Sequence, residues 1–99
     1  LAHGEQRQLE IAMAIATNPV LLLLDEPMAG MGTDESQRMV EIIRELKQQH
    51  TILLVEQRVA EALQLADHGY VLETGKVVIE GTGRELLSNE KVREAYLGM

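Results

Sequence analysis

Apolar residues in the stretch Glu5–Thr17 fall at Leu9, Ala12, Met13 and Ala16, the three- and four-residue spacing of one helix face. Asn18-Pro19 ends that stretch, because proline disfavours helical geometry in the residue before it. Val20–Leu24 follows as an unbroken aliphatic run between this stop and the charged pair Asp25-Glu26. Too short for a helix and without alternation, it predicts a strand buried on both faces, as in a parallel sheet covered by helices. Met28–Gly32 reads as a loop, and Thr33 as the N-cap of a helix to about Gln49. Asp34 and Glu35 suit the positive end of that helix, and Met39, Val40, Ile43 and Leu46 form its apolar stripe. Thr51–Val55 is a second apolar strand, and Val59, Ala60, Leu63 and Ala66 predict a short helix after it. Strand, helix and strand at this spacing form a βαβ crossover, expected to be parallel and right-handed.

Beyond Ala66 the pattern changes. Tyr70–Glu73 and Val77–Glu80 flank Thr74-Gly75-Lys76, which reads as a hairpin, and short helical pieces follow at Arg84–Leu87 and Glu90–Leu97. The fold class expected is α/β, a mostly parallel sheet with flanking helices and an antiparallel addition, lacking its N-terminal half. Three stretches organise it: 1–17, a helix and the turn before it; 18–66, the βαβ unit; and 67–99, the hairpin and final helices. No internal repeat or Ser/Pro-rich linker divides them. The chain begins at Leu1, directly inside a helix start, and is expected to be a piece of a longer protein.

Composition narrows the function classes. With 99 residues there is at most one domain, and with aromatics at 2% its core must be aliphatic. Sixteen acidic against nine basic residues give a net charge of −7, which excludes the basic stripe of a duplex nucleic-acid binder. The absence of cysteine excludes a disulfide framework and a thiolate metal site. The longest purely apolar run, Val20–Leu24, is far short of the roughly 20 residues of a membrane-spanning helix. No secretory signal is legible.

The chemistry concentrates in Leu21-Leu22-Leu23-Leu24-Asp25-Glu26-Pro27, where an aliphatic strand ends in adjacent carboxylates. Ligands of open α/β sheets bind at the carboxyl edge of the strands. There Asp25 is the candidate Mg²⁺ ligand, acting through water because Mg²⁺ keeps part of its hydration. Glu26 is the candidate to polarise a water for in-line attack on a phosphoryl group. His3, His50 and His68 are too scattered to predict a metal site and read as surface residues. Thr74-Gly75-Lys76 is not a phosphate loop: Tyr70 stands where the first glycine belongs, and Val77 is neither Ser nor Thr.

The Leu21–Pro27 run has the Walker B pattern. Together with Leu1-Ala2-His3-Gly4-Glu5 ahead of it, the chain resembles, over its whole length, the ATP-binding subunits of ABC transporters. Gly4–Ala14, Asp25–Met31 and the ending Leu86–Gly98 are similar to those of branched-chain amino acid importers and their relatives for urea and short amides. The start is similar to one of the two paired ATPases of such systems, and Val55-Glu56-Gln57 to the other.

The resemblance implies a P-loop NTPase-like fold, with ATP and Mg²⁺ as ligands. Leu1–Glu5 stands for a signature usually written Leu-Ser-Gly-Gly-Gln, which serves the nucleotide of a second ATP-binding subunit across a head-to-tail dimer. Ala2 loses the signature hydroxyl, His3 replaces a glycine, Glu5 replaces glutamine, and Gly4 alone matches. Ala2, His3 and Gly4 are therefore assigned as backbone contacts to phosphate, since a helix N-terminus presents free N–H groups. Gly32 stands where the D-loop aspartate is usual, so no side-chain role survives there. Gln57 stands where a switch histidine is usual; its amide can still donate to a γ-phosphate but cannot pass a proton. The phosphate loop, the adenine-stacking aromatic and the Q-loop are expected before Leu1.

Further implications are two transmembrane permease subunits, a separate solute-binding protein that contributes to substrate choice, and a peripheral position on the cytoplasmic face of a bacterial inner membrane. The 99 residues alone are expected to be inactive. The alternatives are an ABC-type ATPase acting on nucleic acid, against which the charge counts, and a non-catalytic binding module.

Overall fold

The two aliphatic runs are the strands β1 (Leu21–Asp25) and β2 (Thr51–Val55) of the structure, a computed structural model that describes residues 3–98. They pair in parallel, from Leu21 opposite Thr51 to Asp25 opposite Val55. Parallel neighbours must start at the same edge, so a long connection returns the chain, and helix α2 (Thr33–Leu46) lies in it. Helix α1 (His3–Ile15) precedes β1. The α/β class with a parallel sheet and flanking helices is as predicted. The chain divides into two compact units, one up to Arg58 and one from Val59.

In the first unit, α2 buries Ser36, Met39, Val40 and Ile43, the expected stripe with a serine at its start and with Leu46 only half-buried. The Ser36 hydroxyl donates to the backbone carbonyls of Gly32 (2.9 Å) and Thr33 (3.0 Å), which makes its burial tolerable. The structure corrects four expectations here. The N-cap of α2 is Gly32, whose extended backbone (φ −75°, ψ −179°) lets its carbonyl accept the first helical bond, Ser36 N–H at 2.9 Å; Thr33 is already inside the helix. The strand starts at Leu21, and Val20 is exposed. Within these 99 residues β1 is covered on one face only: Leu22 and Leu24 are buried, whereas Leu21 and Leu23, with Leu53 and Val55 of β2, lie exposed on the other face. The alternation follows from the pleat, which sends successive side chains to opposite faces. Finally, the buried positions of α1 are Gly4 and Ile11, with Leu9 and Met13 exposed. This helix carries apolar residues on two faces, and only packing could choose between them.

His50 is also buried rather than on the surface, with its Nδ1 2.6 Å from the Pro19 carbonyl oxygen. A carbonyl has no proton to give, so Nδ1 carries the hydrogen. The bond ties the start of β2 to the segment entering β1, beside the ladder bond from Thr51 N–H to Val20 O (2.9 Å).

The second unit comprises α3 (Val59–Leu65), β3 (His68–Glu73), β4 (Lys76–Thr82), α4 (Gly83–Ser88) and α5 (Glu90–Tyr96). Its core is Leu63, Leu86 and Val92, flanked by Val59, Ile79, Leu87, Tyr96 and Leu97. β3 and β4 form the expected antiparallel hairpin, with an irregularity between Val71 and Leu72. The turn is two residues, not three, because Lys76 already pairs with Glu73. Thr74 (φ 50°) and Gly75 (φ 75°) both take the positive angles of a primed turn, whose twist matches that of the strands. His68 and Glu80 make an exposed cross-strand pair at 3.1 Å, and the His68 ring meets Tyr70 edge-on at 4.9 Å.

Thr82 joins the hairpin to α4 through a capping box. Its hydroxyl accepts from Glu85 N–H (3.1 Å), and the Glu85 carboxylate accepts from Thr82 N–H (3.0 Å). The Thr82 backbone N–H, then its hydroxyl, hold the Glu85 carboxyl below the usual range, with His68 adding slightly and burial opposing. A lowered carboxyl stabilises the fold above its unfolded pKa, and that contribution is lost as pH falls through the folded value. Thr82→Ala should therefore cost about 1 kcal/mol in urea unfolding. Glu85→Gln should destabilise the protein at pH 7 and much less at pH 3; an equal loss at both pH values would contradict this role.

Candidate functional site

β1 ends in Asp25, and the next residue, Glu26, still extends the ladder: its N–H donates to Val55 O at 2.7 Å. There the chain turns. Glu26 takes φ 47°, a left-handed angle that carries a steric cost for any residue with a Cβ. Pro27 follows it, and proline disfavours the right-handed helical region in the residue before it, so the chain does not continue as a helix there. Strained backbone of this kind persists where the surroundings over-determine it, and it clusters at functional sites. The half-buried Glu26 carbonyl then accepts from Ala29 N–H (3.1 Å), starting the loop Met28–Gly32.

That loop is anchored by side chains from outside it. Met28 is fully buried (0% exposed), and its N–H donates to Oε2 of Glu56 at 3.1 Å. Oε1 of the same carboxylate accepts from Gln57 N–H (2.9 Å) and Arg58 N–H (3.3 Å). The Arg58 guanidinium donates to the carbonyl of Met31, whose side chain is buried. One carboxylate thus holds the segments leaving β1 and β2 together. Gln57 is exposed, two residues beyond the last paired position of β2.

On the α1 side, Nε2 of His3 lies 2.6 Å from Ala29 O. Gly4 is buried, and a Cβ added to it would overlap the Glu35 carboxylate of α2, which would have to swing aside. The Glu35 carboxylate beside the first turn of α1 also complements the positive end of that helix.

Asp25, Glu26 and Gln57 are therefore together at the carboxyl edge of adjacent parallel strands. His3 and Gly4 are on α1, joined through Ala29 to the loop that Glu26 begins, and Ala2 lies outside the described residues. Among the described residues, no three His, Cys, Asp or Glu side chains converge on one metal position. The exposed Asp25 carboxylate fits a cation held by one carboxylate together with water and phosphate oxygens, the ordinary Mg²⁺ arrangement. It does not fit a closed protein cage. Glu56 and Arg58 were not assigned a role from sequence; the only signal was two charged residues directly after an aliphatic strand.

The chain is 48% identical, over 99% of its length, to the high-affinity branched-chain amino acid transport ATP-binding protein BraG of Pseudomonas aeruginosa, of which it covers 42%. It is 35% identical, again over 99% of its length, to the lipopolysaccharide export system ATP-binding protein LptB of Haemophilus influenzae, covering 41% of it. All of the chain superposes on 41% of the ADP conformation of MJ1267, an ATP-binding cassette of an ABC transporter, with TM-score 0.80 and 34% identity. The 99 residues are homologous to part of an ABC transporter's ATP-binding domain. No family model matches. The chain spans about two fifths of the length of these relatives.

Within this ABC-type segment, the Glu56 anchor is testable without any ligand. Glu56→Ala should destabilise the protein by about 1–3 kcal/mol, because the Met28 N–H is left without its acceptor. Amide exchange at Met28 should accelerate in step. Unchanged exchange would show that this carboxylate does not hold the loop.

Proposed function

We propose that these residues are the Walker B, switch and signature part of an ATP-hydrolysing subunit that powers an ABC importer for branched-chain amino acids. The observation that carries the reading is Glu26, left-handed at the carboxyl edge of a parallel strand directly after Asp25. When bound with ATP, Mg²⁺ supplies charge neutralisation on the β- and γ-phosphates. Asp25 holds the cation through water. The Glu26 carboxylate accepts a proton from the attacking water and orients it in line with the γ-phosphate. Gln57 donates its amide N–H to a γ-phosphate oxygen in place of an imidazole and takes no proton. The backbone N–H groups of His3 and Gly4, at the open start of α1, face the phosphate of a nucleotide held by a second ATP-binding subunit in a head-to-tail dimer, a role also assigned to Ala2, outside the described residues.

The solute assignment rests on the name and 48% identity of the Pseudomonas relative. The lipopolysaccharide export relative belongs to the same group of sequences at 35% identity, and this favours a second reading in which the same ATPase core serves another cargo. An importer of urea or short amides is the nearest such variant. No described helix is long and apolar enough to cross a membrane. In this proposal the membrane path belongs to two permease subunits, with a solute-binding protein delivering cargo to them. The subunit sits peripherally on the cytoplasmic face.

In the complete protein, Glu26→Gln should keep ATP binding and lower turnover at least a hundredfold, within the range for a lost general base. Gln57→Ala should slow hydrolysis by about tenfold, the value of one hydrogen bond to a charged oxygen. Hydrolysis at the unmodified rate in Glu26→Gln would remove Glu26 from the chemistry. Transport of radiolabelled leucine and urea by reconstituted complexes decides the solute.

A further inference from the structure

The helix start and the loop after Glu26 are 26 residues apart in sequence, yet one side chain joins them. Nε2 of His3 stands 2.6 Å from Ala29 O, within hydrogen-bond distance. Because the acceptor is a carbonyl, the proton is on Nε2, in either the neutral or the charged ring. The ring also lies over Gly30: a Cβ built there would meet His3 Cδ2 at 3.4 Å and Nε2 at 3.5 Å. Gly30 has φ +75°, so a side chain would be strained there whatever the space. The imidazole thus sits beside Gly30 and bonds the carbonyl just before it.

We infer that His3 is a positioning residue: its imidazole latches the 28–32 loop to the first turn of α1, so both present one preset surface to phosphate. This rests on the proposed nucleotide role of that helix start and goes beyond it, because there His3 acts only through its backbone N–H. The loop's other outside holds, Glu56 on Met28 and Arg58 on Met31, come from the segment carrying Gln57. His3 is the hold that reaches it from α1. With the imidazole removed, the loop stays attached to the strand edge and loses its register with the helix start. Preset donors cost no rearrangement when charge develops, so the loss falls on turnover rather than on nucleotide binding.

The test uses the complete protein with His3→Ala and His3→Gln, the second of which keeps an N–H donor at similar reach. Without nucleotide, exchange of the amides in residues 28–32 should rise about two- to tenfold in His3→Ala, as expected for one neutral hydrogen bond. It should return towards the unmodified rate in His3→Gln. With ATP, kcat should fall several-fold in His3→Ala with KM little changed, and His3→Gln should recover most of it. Unaltered exchange in His3→Ala, or equal impairment in both variants, overturns the latch. If the unmodified protein turns over no ATP, the nucleotide reading fails, and the exchange rates alone decide whether the latch exists.

Discussion

The parallel ladder does not stop where its strand does. Glu26 lies past the end of β1, yet its N–H still reaches Val55 O at 2.7 Å. That bond fixes the peptide plane on the N-terminal side of Glu26. At φ 47° the chain then leaves the strand direction and enters the loop. The start of the Met28–Gly32 loop, with Ala29 N–H on the Glu26 carbonyl, follows from this one backbone position. A glycine would relieve the steric cost and forfeit the carboxylate. In the proposed mechanism, a glutamate in a conformation better suited to glycine is where the strain meets the chemistry.

The loop that follows is held from several directions by its partners. Met28 and Met31 are buried, while Ala29 O, Met28 N–H and Met31 O are claimed by His3, Glu56 and Arg58. Buried apolar anchors resist displacement, and directed hydrogen bonds set orientation, so the loop has both depth and register. Glu56 joins this loop to the backbone at Gln57. In the proposed mechanism that places the residue facing the γ-phosphate and the segment following the base on one carboxylate. Neither residue could tilt without disturbing the other.

The second unit obeys a different rule. Its small core of Leu63, Leu86 and Val92 is surrounded by short elements, none of which would be stable as an isolated piece. Local devices compensate: a two-residue primed turn in the hairpin, a capping box at Thr82 and Glu85, and Asn89 Oδ1 accepting from Val92 N–H (3.1 Å) at the start of α5. Each satisfies backbone groups that such short helices would otherwise leave bare.

The kinds of element and their order were legible in the residues, because a strand of Leu21–Leu24 and a helix bearing Met39, Val40 and Ile43 are dictated by spacing. So was the carboxylate pair, since a strand end followed by Asp-Glu-Pro has few bland explanations. Which face is buried was not. α1 offers Leu9 and Met13 on one side and Ile11 on another, and the choice fell to Ile11 and to the close approach at Gly4. Thr33 looked like a cap by composition, but Gly32 holds that place because its carbonyl is the one within reach of Ser36 N–H. The contacts from His3 to Ala29, from Glu56 to Met28 and from Arg58 to Met31 span 26, 28 and 27 residues. No local pattern encodes such pairs. They exist because two parallel strands deliver their carboxyl ends to one edge, and only the packed chain brings the partners within bonding distance.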